Sequence, residues 1–183
     1  MIASDPLPIA TPRTVLRRLS TDDLNDFQAY RTDPEVGLYQ GWVPMVGAQA
    51  LAFLARMRRV PLFVPGEWVQ IGVALRKGEE DSPAPLIGDI GIGIDADDPA
   101  HAQMGFSMNA RWQGIGLASE AVDAARALLF EHAAVRRLEC ITDARNASSI
   151  RLLERLGFRL EGTEDAIFRG LPCREHRYVS ERL

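Results

Sequence analysis

Apolar positions along the chain follow two periods, one alternating and one recurring every three or four residues. Alternating or β-branched runs predict strands, and helical spacing predicts amphipathic helices. Strands are predicted at residues 14–19, 68–76, 86–94, 102–108 and 137–142, with two more between 158 and 183 around a turn at 169–172. Helices are predicted from Leu24 through Tyr30 and over 47–60, 117–134 and 147–156. The pattern indicates an α/β (α+β) fold with a mixed sheet and flanking helices.

Helix-breaking and helix-capping residues support these boundaries. Pro61 ends the second helix, Asn146 is a candidate N-cap for the fourth, and Gly157 stands where a C-cap glycine is expected. The polar, proline-rich run 77–85 predicts a loop that joins two antiparallel strands. We interpret it as a turn insertion, so residues 1–183 are predicted to form a single domain.

Composition and charge restrict the classes of protein to which the chain can belong. Of 183 residues, 46% are hydrophobic and 25% are charged, as in ordinary globular proteins, and there is no apolar run of membrane-spanning length. The net charge of −4 argues against a broad basic face for nucleic acid. We expect no secretory signal and no membrane partner, and the well-separated Cys140 and Cys173 suit a cytoplasmic protein.

The histidines show no spacing typical of a metal site, so no metal is predicted. They are His101, His132 and His176.

The segment from Arg111 to Ala118 joins a predicted strand to a predicted helix through Gly114 and Gly116. Helix N-termini carry unpaired N–H groups and a partial positive charge, and glycines let an anion approach them closely. An NTPase loop is excluded because no Gly-Lys-Ser/Thr ending is present. The dinucleotide-like spacing from Gly91 to Ala96 precedes no helix and is interpreted as coincidence. A glycine turn without a ligand remains the alternative.

These residues resemble the GNAT superfamily of N-acetyltransferases, in its RimJ/RimL-like branch. Arg111-x-x-Gly114-x-Gly116 matches the Arg/Gln-x-x-Gly-x-Gly/Ala motif of that family. Similarity extends over nearly the whole chain. The matching segments are 32–36, Gly41-Trp42, 116–121, Asn146-x-x-Ser149 and 156–158. The resemblance implies a mostly antiparallel central sheet, acetyl-CoA as cosubstrate, and transfer of the acetyl group to a primary amine.

By this resemblance, the backbone at 106–108 pairs with the pantetheine arm and residues 113–119 hold the pyrophosphate. Asn146 and Ser149 face the thioester, and Arg151 lies near the adenosine. The alternatives are a plain helix cap for Asn146 and an exposed surface arginine for Arg151. The full expected cofactor-binding set is Phe106, Ser107, Met108, Arg111, Gln113, Gly114, Ile115, Gly116, Leu117, Ala118, Ser119, Asn146, Ser149 and Arg151.

The resemblance also identifies two departures from the family. Leu153 stands where many members have a tyrosine acid, and Gln103 where this branch often has a glutamate. Ser149 is therefore the candidate acid, and Asp89 and Glu67 are candidate bases, each with an alternative interpretation as an ordinary solvated carboxylate.

Three functional hypotheses remain. The first is an N-acetyltransferase acting on a protein N-terminus or a small-molecule amine. The second is a non-catalytic acyl-CoA sensor, and the third is a nucleotide-binding domain of another class. A homodimer is also considered, although the sequence does not specify one.

Overall fold

The computed structural model describes residues 5–76 and 84–182, so most of the predicted loop 77–85 lies outside the described residues. The strands are β1 (Ile9–Ala10), β2 (Thr14–Arg18), β3 (Trp68–Leu75), β4 (Leu86–Ile94), β5 (His101–Met108), β6 (Arg137–Asp143), β7 (Arg159–Phe168) and β8 (Leu171–Glu181). The helices are α1 (Leu24–Arg31), α2 (Pro34–Gly37), α3 (Ala48–Arg59), α4 (Leu117–His132) and α5 (Ala147–Arg155).

The strands form one sheet in the order β1-β2-β3-β4-β5-β6-β8-β7. Neighbours are antiparallel except β5 and β6, which run parallel because α4 connects them as a crossover. This confirms the predicted mixed, mostly antiparallel sheet with flanking helices. The β5–β6 pairing covers only three rungs and ends at Gln103 opposite Glu139. Beyond that pair the two strands separate, and we call the resulting gap the β5–β6 cleft.

The two faces of the sheet have different coverings. One face is apolar and packs against α4, whose buried side chains are Leu117, Ala121, Val122, Ala125, Leu128 and Leu129. The opposite face, here called the α1 face, carries Trp68 and Gln70 of β3, paired in register with Gly93 and Gly91 of β4. A second core cluster around Phe27 of α1 and Leu54 of α3 covers part of that face.

The C-terminal turn is tighter than predicted. Only Arg169 and Gly170 separate β7 from β8, and both have positive φ, 51° and 77°. Such angles at both central residues are typical of a two-residue hairpin whose twist matches its strands. Leu171 and Pro172, predicted to belong to the turn, therefore lie at the start of β8.

Candidate functional site

The loop before α4 turns sharply at its two glycines. Gly114 and Gly116 have φ of 78° and 87°, a left-handed conformation that side-chain-bearing residues rarely adopt. Gly116 is the N-cap of α4 and provides no side-chain cap for the first-turn amides. These amides retain their donors and the positive end of the helix dipole, which makes the loop suitable for an anion.

Glu120, in the first turn of α4, fixes this loop to the N-terminal strands. Its carboxylate accepts hydrogen bonds from Arg13 N at 2.6 Å, Arg13 Nε at 3.0 Å and Thr14 N at 3.0 Å, and also from the Thr11 hydroxyl. Arg13 in turn donates to the Ile115 carbonyl at 2.9 Å. Burial raises the pKa of Glu120, but the bonds from Thr11 and Arg13 outweigh it and hold the pKa below its usual value.

A cavity of about 390 Å³ opens beside the loop, and we call it the α4 cavity. It brings together most of the predicted cofactor residues: Phe106, Ser107, Met108, Gln113, Gly114, Gly116, Ala118, Ser119, Asn146, Ser149 and Arg151. Arg111, Ile115 and Leu117 do not line it. Leu117 points into the core with 3% of its surface exposed, and Arg111 extends over the ring of Trp112.

The β5–β6 cleft continues from this cavity as a smaller pocket of about 50 Å³. The two spaces share Tyr39, Gln40, Phe106, Asn146 and Ser149. The side chain of Gln40 donates to the Phe106 carbonyl at 3.2 Å. The β5 edge that faces the cleft is therefore available to hydrogen-bond donors, as an unpaired strand edge is.

The profile of the acetyltransferase (GNAT) domain matches residues 13–159 of the chain. The protein belongs to the GNAT acetyltransferase family. The match spans the loop, the cleft and both helices that border the α4 cavity, and acetyl-CoA is the donor that acetyltransferases of this family use.

Individual relatives agree with this assignment. An uncharacterized N-acetyltransferase p20 from Bacillus licheniformis is 26% identical over 152 residues, which cover 83% of this chain and 82% of that protein. A GNAT-family acetyltransferase from Bacillus anthracis has the same fold, with a TM-score of 0.78, 20% identity and coverage of 96% and 98% of the two chains. RimL, the ribosomal L7/L12 α-N-protein acetyltransferase, was solved with coenzyme A and matches with a TM-score of 0.74 at 16% identity, covering 94% and 96%. The likeness to RimL shows a shared fold.

Asn146 is the helix cap that its sequence position suggested, and it also borders the space where the cofactor is expected. Its side-chain oxygen accepts the Ser149 amide at 3.2 Å, which makes it the N-cap of α5, and it also lines both the α4 cavity and the cleft pocket. Capping turns the start of α5 toward the cleft and brings Ser149 to the junction of the two spaces. Leu153, one turn further along α5, closes the cleft pocket with an apolar side chain that is 1% exposed.

The structure does not bring Asp89, a predicted base, to either space. Its side chain is fully buried on the α1 face and accepts hydrogen bonds from Arg31 at 2.7 and 2.8 Å, from Gln70 at 2.8 Å and from the Tyr30 hydroxyl. Burial raises the pKa of Tyr30, and the adjacent Asp89 charge raises it further. The Arg31 guanidinium also lies 4.5 Å from the centre of the Trp42 ring. Asp89 therefore joins β4 to α1 through a buried ion pair, and removal of either charge would leave the other uncompensated.

Glu67, the other predicted base, lies apart from the α4 cavity. Its side chain is half exposed and 3.9 Å from Arg56, and it lines a second cavity of about 390 Å³ on the α1 face. Trp68, Gln103 and Glu139 border the same space. We call this space the α1-face cavity.

Seven residues that line the α4 cavity are absent from the predicted cofactor set: Glu35, Val36, Tyr39, Gln40, Ser148, Leu152 and Arg155. Tyr39 and Gln40 reach it from the segment after α2, and Arg155 reaches it from α5, donating to the Ser119 hydroxyl at 3.3 Å. The signal for Arg155 was present, because it lies four residues after Arg151 and so on the same helix face. Tyr39 lies outside the regular elements, so no periodicity pointed to it.

Within the described ranges, no group of three or more metal-ligating side chains comes together. No helix among those residues has the length and apolar character needed to cross a bilayer.

Proposed function

We propose that the protein transfers the acetyl group of acetyl-CoA directly to a primary amine while both substrates are bound. The observation that carries this proposal is the α4 cavity, in which an anion-binding helix N-terminus continues into the gap between β5 and β6. A diphosphate at one end and a thioester at the other match the two ends of acetyl-CoA.

The cofactor contacts follow from the chemistry of the lining. The first-turn amides of α4 and the glycine loop hold the pyrophosphate, and the guanidinium groups of Arg151 and Arg155 add positive charge on the same side. The pantetheine amides pair with the edge of β5 that faces the cleft, where the Phe106 carbonyl accepts from Gln40. A carbonyl oxygen has two lone pairs, so Gln40 and a cofactor amide can share it.

In the transfer step, the neutral amine nitrogen attacks the thioester carbonyl carbon, the C–S bond breaks, and the proton lost by the nitrogen passes to solvent water. The leaving thiolate takes a proton and becomes the CoA thiol. Positioning within the cleft can contribute about 7–11 kcal/mol, whereas a single acid or base contributes about 100-fold to 10,000-fold, or about 3–5 kcal/mol. Alignment in the cleft therefore provides most of the acceleration.

Ser149 remains our candidate for the proton donor to the thiolate, and Tyr39 is a second candidate because it lines the same junction. A thiol has a pKa near 8.5, so the thiolate needs little assistance at neutral pH. We expect Ser149→Ala to lower kcat by about tenfold, less than a typical general acid would cost. Tyr39→Phe tests the second candidate in the same assay. If kcat falls in Y39F but not in S149A, Tyr39 is the proton donor instead of Ser149.

The proposal is tested by measuring thiol release from acetyl-CoA with a panel of amines and peptide N-termini, alongside calorimetric titration of CoA. We expect saturable CoA binding and amine-dependent thiol release. If CoA shows no saturable binding, the proposal is wrong.

A non-catalytic acyl-CoA sensor is the second candidate, and the apolar side chain of Leu153 at the cleft favours it. A sensor would gain thermal stability from acetyl-CoA but release no thiol with any amine. Binding without turnover across the panel would therefore favour the sensor.

We also propose that residues 1–183 act as one domain in the cytoplasm. Cys140 and Cys173 are both free thiols, which suits a reducing compartment. The homodimer stays a prediction, and light scattering of the purified protein would measure the oligomeric state.

A further inference from the structure

The α1-face cavity plays no part in the cofactor contacts described above, and its lining suggests a use for it. It lies on the side of the sheet opposite α4, bordered by Trp68, Gln103 and Glu139. An amine that reacts with the thioester in the β5–β6 cleft needs a route into the cleft and a space that holds the rest of the acceptor molecule. The inference drawn from this cavity rests on the proposed acetyltransferase function.

The cavity leads directly to the cleft. Gln103 and Glu139 form the last rung between β5 and β6, and the next residues on the same face, Gly105 and Ile141, already line the cleft pocket. A Cβ added at Gly105 would meet no atom within 4 Å, so no side chain blocks this path. Two residues of strand separate the cavity from the cleft by about 7 Å.

The charges that line the cavity favour a cation. Glu67, Asp95 and Glu139 contribute carboxylates, whereas the one guanidinium group in the lining is that of Arg137. Arg137 is itself bonded to Glu161 outside the cavity. Glu67 and Glu139 also contact Arg56 and Arg177 at the border of the space, but the carboxylates in the lining outnumber its guanidinium group, which favours a cationic group over an anionic one.

Trp68 provides an aromatic wall for the same space. Its ring lies against Gly93 and Gly91, where an added Cβ would come within 2.4 and 2.5 Å of the indole. The indole nitrogen donates to Gln70 at 2.9 Å, which fixes the orientation of the ring. An indole face is the best aromatic partner for an ammonium group.

Glu139 is the carboxylate nearest to the cleft along the strand, and it is held in place. It accepts a hydrogen bond from the Gln103 amide at 3.1 Å, and its other oxygen lies 3.3 Å from Arg177 Nε. Its side chain remains 20% exposed to the cavity. The cleft pocket begins at Cys140, the residue after Glu139. An ammonium group beside Glu139 would therefore lie about 7 Å, or two strand residues, from a thioester in the cleft.

We propose that the α1-face cavity binds a second positive charge of the acceptor, and that Glu139 determines specificity for it. The acceptor class is a diamine, or an amine with another cationic group, whose two nitrogens lie about 7 Å apart. The reacting nitrogen enters the cleft uncharged, while the distal ammonium group stays between Glu139 and Trp68. This arrangement separates the group that must lose its proton from the group that is held by charge.

The test compares three amines of similar length on the protein with CoA binding verified. Cadaverine carries a second ammonium group, pentylamine carries none, and ε-aminocaproate carries a carboxylate instead. We expect kcat/KM for cadaverine to exceed that for pentylamine by about tenfold or more, and ε-aminocaproate to be the poorest. Glu139→Gln should reduce the cadaverine-to-pentylamine ratio to about threefold or less, since it removes the charge and keeps the shape.

Two further variants complete the design. Glu131→Gln changes an exposed carboxylate at the end of α4, on the opposite face of the sheet and outside the cavity lining, and it should leave the ratio unchanged. Gly105→Val fills the path between cavity and cleft, where there is space for a side chain, and should raise the KM for cadaverine; calorimetric titration of CoA measures any accompanying change in cofactor affinity.

Equal kcat/KM for cadaverine and pentylamine in the wild type, or an unchanged ratio in E139Q, would overturn the assignment. If no amine is acetylated, cadaverine is titrated directly into the CoA-loaded protein. Absence of saturable cadaverine binding would then also refute the assignment. If CoA itself does not bind, the proposed acetyltransferase function is refuted instead. Failure of the acceptor-site assignment and failure of the proposed function are therefore distinguishable.

Discussion

The glycine loop before α4 allows the strain of a substitution to be separated from its effect on the ligand. Gly114→Ala introduces a methyl group at a residue with φ of 78°, and that methyl meets no protein atom within 4 Å. Gly157→Ala makes the same change at φ of 76°, again in open space, after the end of α5 and outside the α4 cavity. The two variants form a matched pair that differs in proximity to the proposed diphosphate site.

The magnitudes follow from this geometry. A left-handed conformation costs a residue with a Cβ about 1–2 kcal/mol, so both variants should lose about that much stability. For a domain of this size each kcal/mol lowers Tm by about 2–4 °C. Only G114A places its methyl where the phosphates must approach the loop amides. Hydrogen bonds to a charged group contribute about 1.5–3 kcal/mol each, so loss of one weakens CoA binding by about 10-fold to 100-fold.

Thermal melts and calorimetric titration of CoA measure the two effects separately. We expect similar falls in Tm for both variants, with near wild-type CoA affinity in G157A and strongly reduced affinity in G114A. If G114A and G157A bind CoA equally well, the loop does not hold the diphosphate and the proposed placement of the cofactor is wrong.

The remaining predictions concern stability, pH and thiol reactivity. Asp89→Asn should lower the free energy of unfolding by about 3–5 kcal/mol in urea titrations, because it leaves the buried Arg31 charge unpaired; a loss below 1 kcal/mol, on the order of a surface pair, would contradict this. The pKa of Glu120 is depressed in the folded state, so its ionised form contributes stability at neutral pH that is lost as pH falls below 4.5 through the folded pKa. E120Q should therefore show a smaller fall in urea midpoint over that range than the wild type, and an identical fall would refute the linkage. DTNB should react with Cys173 alone in the native protein and with both thiols in denaturant, since Cys140 is 2% exposed and burial raises its pKa; two native equivalents would show that β6 opens.

Secondary structure followed closely from local pattern. The strand at 86–94 has its predicted bounds, and the helix predicted over 147–156 is α5, one residue shorter. These segments were predictable because their periodicity and their capping residues agree. The turn at 169–172 was predicted too long, because the sequence does not reveal how far cross-strand pairing of β7 with β8 extends.

The candidate site was only partly predictable. Gly114, Gly116 and Ser149 line the α4 cavity as expected, since a strand–loop–helix connection and a capped helix place them by local geometry. Asp89 was expected near the cleft as a base, yet it is buried against Arg31. A carboxylate in a strand gives no local sign of whether solvent or a distant guanidinium lies opposite it.

The sequence by itself determined most strands and helices, the glycine loop and the family, because each depends on residues close together in the chain; β1 and α2 were not predicted from the apolar pattern. Only the tertiary structure decided which side chains from distant parts of the chain lie together around the cleft. Tyr39 reaches the cleft from the segment after α2, and Glu139 lies beside Gln103 because β5 and β6, which α4 connects, pair in parallel. Such neighbours are set by long-range packing and strand register, which no short window of sequence encodes.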